Sequence, residues 1–352
     1  MWKDNTKNSP SLLLAFFLIF PDTNHKIIKD LKLENKPTPI TLQNFTTESG
    51  AFYATLNLSF QVFGPALHTA PIVLVNHALT GNSQVVGENG WWNDLIGENK
   101  TIDTTKYTIL AFNVPGNGFD ATIIENYLDF NTRDIARIFI EGIHFLKIKQ
   151  LYAIIGGSVG GGIAWEIAAL EPKITQHLIP IATDWKSTDW LIANCFLQEQ
   201  ILNNSSKPIE DARIHAMLCY RTPESFKSKF GRTTNAELAI FNIESWLCHH
   251  GEKLQKRFQL SSYKMMNQLL KTIDITRNSD SFEAIASKIE ADIHIIGIDS
   301  DLFFTVSENR ATYEELKKYK NNVTYQEIVS IHGHDAFLIE YKQLDNLLAS
   351  IF

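Results

Sequence analysis

The sequence predicts an α/β protein with a mostly parallel central sheet, helices on both faces and an inserted helical lid. Three observations predict it. Short apolar runs alternate with helical periodicities. One such run, Leu151-Tyr152-Ala153-Ile154-Ile155, ends in the turn Gly156-Gly157-Ser158-Val159-Gly160 and enters a helix-like segment at once. Between about residues 184 and 280 the strand signals fade, and helical stretches rich in Trp, Gln, Lys and Met take over.

The elements follow in order. Residues 52–62 alternate in character and suit an early antiparallel pair. Residues 71–76 and 107–114 read as buried strands. Residues 133–146 form a helix, with Ile135, Ile138, Phe139, Ile143 and Phe145 or Leu146 on one broad apolar face. Residues 151–155 lead to the serine turn, and 177–182 make the next strand. Sheet patterning returns at 292–298, then a helix near 307–319, a strand over 323–329 and a last helix from about 335. The expected organisation is an extension over 1–40, a core over 41–183 and 281–352, and a lid over 184–280.

Composition narrows the function. The chain has 352 residues, 44% hydrophobic and 20% charged, enough for a sizeable core. A net charge of −7 argues against nucleic acid, which needs a basic face. The three cysteines, Cys195, Cys219 and Cys248, suit neither a disulfide framework nor a zinc site. Free thiols fit a reducing, cytoplasmic setting. The apolar run at 11–20 is too short to span a bilayer, and no small-x-small cleavage site follows it. No membrane partner and no metal are expected.

The chemistry starts at Ser158. A strand, a sharp turn flanked by small residues and a helix make a nucleophile elbow, the device of the α/β-hydrolase fold. The Val159 N–H, at a helix N-terminus, would be one oxyanion donor. A dinucleotide-binding turn fits poorly, because the glycines at 156, 157, 160, 161 and 162 are out of phase for it. A serine needs a histidine base, and the histidine needs a carboxylate, in the chain order Ser, acid, His. Gly297-Ile298-Asp299-Ser300-Asp301 closes a late strand; Asp301 has the better reach, with Asp299 as the alternative. His334 follows the next strand in Ser330-Ile331-His332-Gly333-His334-Asp335. The second oxyanion donor is expected from the loop after an early strand, at the Leu79 N–H, with His77 orienting that loop.

The combined pattern resembles the homoserine O-acetyltransferases. The resemblance rests on Asn76-His77-Ala78-Leu79-Thr80-Gly81-Asn82, Gly90-Trp91-Trp92, the elbow, Gly297-Ile298-Asp299-Ser300-Asp301 and Gly333-His334-Asp335-Ala336-Phe337-Leu338. It runs from about residue 45 to the C-terminus. It implies Ser158 as nucleophile, His334 as base and Asp301 as acid. It also implies Arg213 on the substrate carboxylate with Tyr220 nearby, and Asp335 on the substrate ammonium. It further implies acetyl-CoA as co-substrate, no permanently bound cofactor, L-homoserine as acceptor and a homodimer through the lid. Succinyl-CoA or serine in place of these substrates, an esterase, and a non-catalytic binding module are the alternatives. The chain departs from the family at residues 113–120, which replace a longer Gly/Ser-rich stretch. It also departs at Val159, where methionine is usual, and at Met217-Leu218-Cys219, where a more polar version is usual.

Overall fold

The computed structural model describes residues 36–279 and 281–352. Most of the expected extension, including the apolar run at 11–20, lies outside the described residues. Eight strands form the central sheet: β1 (Thr38–Thr46), β2 (Phe52–Phe63), β3 (Ile72–Asn76), β4 (Thr108–Asn113), β5 (Leu151–Gly157), β6 (Thr175–Ile181), β7 (Asp292–Ile298) and β8 (Val323–Ile328). Their spatial order is β1-β2-β4-β3-β5-β6-β7-β8. β2 is antiparallel to β1 and β4, and every pairing from β4 to β8 is parallel.

β1 supplies the partner that the alternating 52–62 segment required, with Ile40 opposite Leu58. It begins at Thr38, so the core starts before the expected boundary at residue 41, which would cut through this strand. The central strands are buried on both faces. Ile72 and Leu74 point into one core and Val73 and Val75 into the other, which is why β3 reads as an unbroken apolar run.

Helix α1 (Thr132–Phe145) lays Ile135, Ile138 and Phe139 on the first face, beside Trp165 of α2 (Val159–Leu170). A capping box fixes its start: the Asn131 side chain accepts from the Asp134 N–H, and the Asp134 carboxylate accepts from the Asn131 N–H. Trp92, Leu95 and Ile96 cover the second face.

Between β6 and β7 lie α3 (Asp189–Asn204), α4 (Pro208–Tyr220), α5 (Pro223–Phe230), α6 (Asn242–Gln255), α7 (Leu260–Lys271) and the short α8 (Phe282–Ala286). The block also holds a two-residue hairpin, Thr234–Asn235 with Ile240–Phe241, which no sequence signal announced. A buried ion pair ties its exit to the core. Arg133 Nε of α1 lies 2.9 Å from Glu166 Oε2 of α2, while Arg133 Nη1 and Nη2 donate to the carbonyls of Arg277 and Ile275. α9 (Val306–Leu316) follows β7.

The single last helix expected from residue 335 is two elements. A 3₁₀ helix, Gly333–Leu338, precedes α10 (Tyr341–Leu348). Positive φ at Gly333 (64°) turns the chain sharply, so His334 and Phe337 bury before α10 sets Leu344 and Leu348 on the second core.

Candidate active site

Ser158 stands between β5 and α2 with φ 57° and ψ −130°, a strained conformation for a residue with a side chain. Its backbone N–H donates to the Ile181 carbonyl at 2.9 Å, which locks the turn to β6. The flanking glycines are obligatory. A side chain on Gly160 would strike the Asn76 carbonyl, and one on Gly156 would strike the Gly160 backbone. This crowding presses the end of β3 against the first turn of α2, bringing the loop with His77, Ala78 and Leu79 beside the elbow. The N–H groups of Leu79 and Val159 meet no acceptor among the described residues.

His77 holds that loop. Its Nε2 accepts from the Val114 N–H at 3.0 Å, so Nδ1 carries the proton and donates to the Ala78 carbonyl at 2.8 Å. Burial pulls its pKa down to about 4, against the pull of the Ala78 bond. It is neutral at pH 7.

Asp301 and His334 meet at the ends of β7 and β8. Asp301 Oδ2 lies 2.7 Å from His334 Nδ1, and Asp301 Oδ1 accepts from the N–H groups of Phe303 at 2.7 Å and Phe304 at 2.9 Å. The carboxylate is thus held on both oxygens, and it keeps the imidazole proton on Nδ1. The alternative, Asp299, is committed elsewhere: its Oδ1 accepts from the Ser330 N–H at 2.9 Å. Burial pulls the His334 pKa down, but the Asp301 charge and hydrogen bond, with the Asp335 charge, outweigh it and raise the net value. Rings wall the imidazole in: Phe303 at 5.3 Å, Tyr220 at 5.4 Å, Phe304 at 5.7 Å and Phe337 at 5.8 Å. Phe337 also packs against Gly157, next to the serine. No hydrogen bond joins His334 to Ser158 Oγ among the described residues, and apo catalytic hydrogen bonds are often loose or unformed.

α4 brings the remaining residues. Tyr220 is buried at its last turn, and burial pushes its phenol well above the usual range. The Arg213 guanidinium sits 5.6 Å from the Tyr220 ring centre. Asp335, expected to face a substrate ammonium, already has a protein neighbour: Arg221 Nε stands 2.9 Å from its Oδ2. Arg221 is the site residue that sequence reading missed. A groove of about 460 Å³ on α5 and α6, lined by Lys229, Trp246 and His249 among others, shares no residue with this cluster. Among the described residues no group of three or more His, Cys, Asp or Glu could hold a metal, and no helix is long and apolar enough to cross a membrane.

Residues 71–339 match the family described as alpha/beta hydrolase fold. A homoserine O-acetyltransferase of Chloroherpeton thalassium is 30% identical over 341 residues, covering 89% of this chain and 87% of the relative. The chain belongs to the homoserine O-acetyltransferase family. The fold extends to solved structures. Homoserine O-acetyltransferase from Bacillus anthracis superposes with a TM-score of 0.81 at 19% identity, covering 90% of this chain and 97% of that one. Esterase E22 superposes with a TM-score of 0.80 at 18% identity, covering 90% and 99%. These two structures share the fold of this chain. In this member of the homoserine O-acetyltransferase family, function is argued from the residues around Ser158 and not from the fold.

Proposed function

We propose that this chain moves an acetyl group from acetyl-CoA to the side-chain hydroxyl of L-homoserine through an acyl-Ser158 intermediate, a step toward methionine. The observation that carries it is the buried Asp301–His334 pair, 2.7 Å apart, beside an elbow serine in a chain of this family. His334 Nε2 takes the Ser158 proton as Oγ attacks the thioester carbonyl. The N–H groups of Leu79 and Val159 stabilise the oxyanion, about 3 kcal/mol for each donor. The C–S bond breaks, and CoA leaves as the thiol with the proton from His334. Homoserine follows, its carboxylate on Arg213, whose planar donors suit it, and its ammonium on the Asp335 oxygen away from Arg221. His334 takes the hydroxyl proton, the ester forms and Ser158 recovers its proton.

Water is the competing acceptor. The rings of Tyr220, Phe303, Phe304 and Phe337 surround the imidazole, and a base kept from bulk water favours transfer over hydrolysis. The esterase reading draws on the equal likeness to esterase E22. Acetyl-CoA enters as a co-substrate, with no permanent cofactor, and the helical block over 184–280 acts as the lid and as the surface that pairs two copies.

A burst assay decides. Acetyl-CoA alone should release about one equivalent of CoA and then stall; homoserine should restart turnover. Steady release without an amino acid would make the chain a hydrolase, and a burst with succinyl-CoA only, or a restart with serine only, would reassign the pair. Ser158→Ala should remove the burst, a loss of about 10⁶-fold in acylation. A normal burst in that variant would reject Ser158 as nucleophile.

A further inference from the structure

The corner between α4 and α5 lies along the turn that carries His334. The Tyr220 ring faces the imidazole, and its carbonyl abuts Gly333. Arg221 Nε lies 2.9 Å from Asp335 Oδ2, and Thr222 Oγ1 donates to the Ile331 carbonyl. Ser225 Oγ and His332 Nδ1 are hydrogen-bonded at 3.0 Å. The contacts therefore run residue by residue along the turn. Within them, Arg221 and Asp335 are both largely buried charges, so neither is idle: a buried charge left alone is costly.

We propose that Arg221 is a positioning residue for acyl transfer, one that holds the Asp335 carboxylate and offsets its charge at the adjacent imidazole, keeping His334 a neutral base. The inference rests on the role given to His334 above. An unpaired carboxylate next to the base would favour imidazolium, the form that cannot accept the serine proton. Arg221 supplies the counter-charge on one oxygen. The other oxygen of Asp335 has no hydrogen-bond or ion-pair partner among the described residues. The Arg221 N–H is not aimed at the carboxylate, so the contact is one of charge more than of direction. The charged groups that act on His334 are Asp301 from the loop after β7 and Asp335 from its own turn, and the Tyr220 ring of α4 packs against the imidazole. Arg213 stands behind the Tyr220 ring. Among the described residues, the one ion pair of Asp335 is with Arg221.

The test reads acylation by p-nitrophenyl acetate across about pH 5 to 9. This ester acylates an activated serine whatever the natural donor is. R221M should move the acid limb of kcat/KM up by about one pH unit, as expected for an uncovered neighbouring charge. R221K, which keeps the charge, should leave the limb in place. Adding D335N to R221M should reverse the shift. An R221M limb at the wild-type position, or a shift that persists in the double variant, overturns the proposal. Should R221M fail to fold, D335N alone reads the same charge: its limb must move down, and an unmoved limb overturns the proposal equally. A chain acylated by p-nitrophenyl acetate but inert to acetyl-CoA would reject the donor assignment and leave this test in force. A wild type inert to both rejects both readings.

Discussion

Two buried histidines flank the elbow, one at the end of β3 and one past the end of β8, and they are opposites. His77 spends both ring nitrogens on backbone, the Val114 N–H and the Ala78 carbonyl, and burial holds its pKa near 4. His334 spends one nitrogen on the Asp301 carboxylate, which lifts its pKa above the ordinary imidazole value. Burial is nearly the same, so burial does not separate them. The partner of the ring does. A backbone carbonyl fixes a neutral ring in place, whereas a carboxylate readies a ring to accept a proton. On this comparison His77 is scaffold and His334 is chemistry.

The largest effect expected from breaking the contrast is at Asp301. Asp301→Asn should lower the acylation rate by about 10⁴-fold, because the amide favours the wrong imidazole tautomer and cannot balance the charge. Burst kinetics with acetyl-CoA measure it, alongside a melting curve to show an intact fold. A loss under tenfold would move the acid role away from Asp301, with Asp299 the next residue to test.

The corresponding change on the other side is His77→Ala, and its cost should appear in stability. It strands the Val114 N–H and the Ala78 carbonyl, at roughly 1–3 kcal/mol for each buried group left unpaired. The urea midpoint should fall accordingly. A variant with unchanged stability but the 10⁴-fold acylation defect would reverse the two assignments.

These differences explain what could be read before any coordinates were known. The fold and the elbow were legible because local constraints write them. Small residues must flank Ser158 where the backbones of β3, β5 and α2 nearly touch, and an apolar run must cross a sheet buried on both faces. The positions of Asp301 and His334 at successive strand ends followed from chain order. Reach along the loop favours Asp301 over Asp299, and the structure pairs Asp301 with the imidazole. Arg221 was not legible, since its partner lies more than a hundred residues away and a helix-end arginine looks like any surface charge. The Arg133–Glu166 pair is only 33 residues apart, but it joins two different helices and so leaves no local pattern. Nor did β1 stand out: exposed and buried residues mix in it as on any edge strand, and its pattern is weak. The break between Leu338 and Tyr341 was masked because both halves are apolar at helical spacing.

The smallest and most discriminating effect is a separation of two acid transitions. As pH falls, His334 takes a proton first, above the ordinary imidazole range, and the base is lost. His77 works on stability. Its folded pKa of about 4 lies below the unfolded value of 6.5, so its contribution is complete above pH 6.5 and declines as pH falls toward 4. Two buried carboxyl groups act in the opposite sense. Burial pushes Glu166 up to about 7 against the pull of Arg133, and pushes Asp184 up to about 6 against its hydrogen bonds from Thr312 and the Trp185 N–H. Their folded forms take protons before the unfolded chain does, so their cost to stability shrinks over the same pH range. The terms oppose one another, and the fold should persist at about pH 5 while catalysis does not. Incubation there should abolish the acetyl-CoA burst with the near-ultraviolet circular dichroism unchanged, and return to neutral pH should restore the full burst. Parallel loss of burst and dichroism, without recovery, would mean that the two histidines titrate as one unit, and the contrast between scaffold and chemistry would fail.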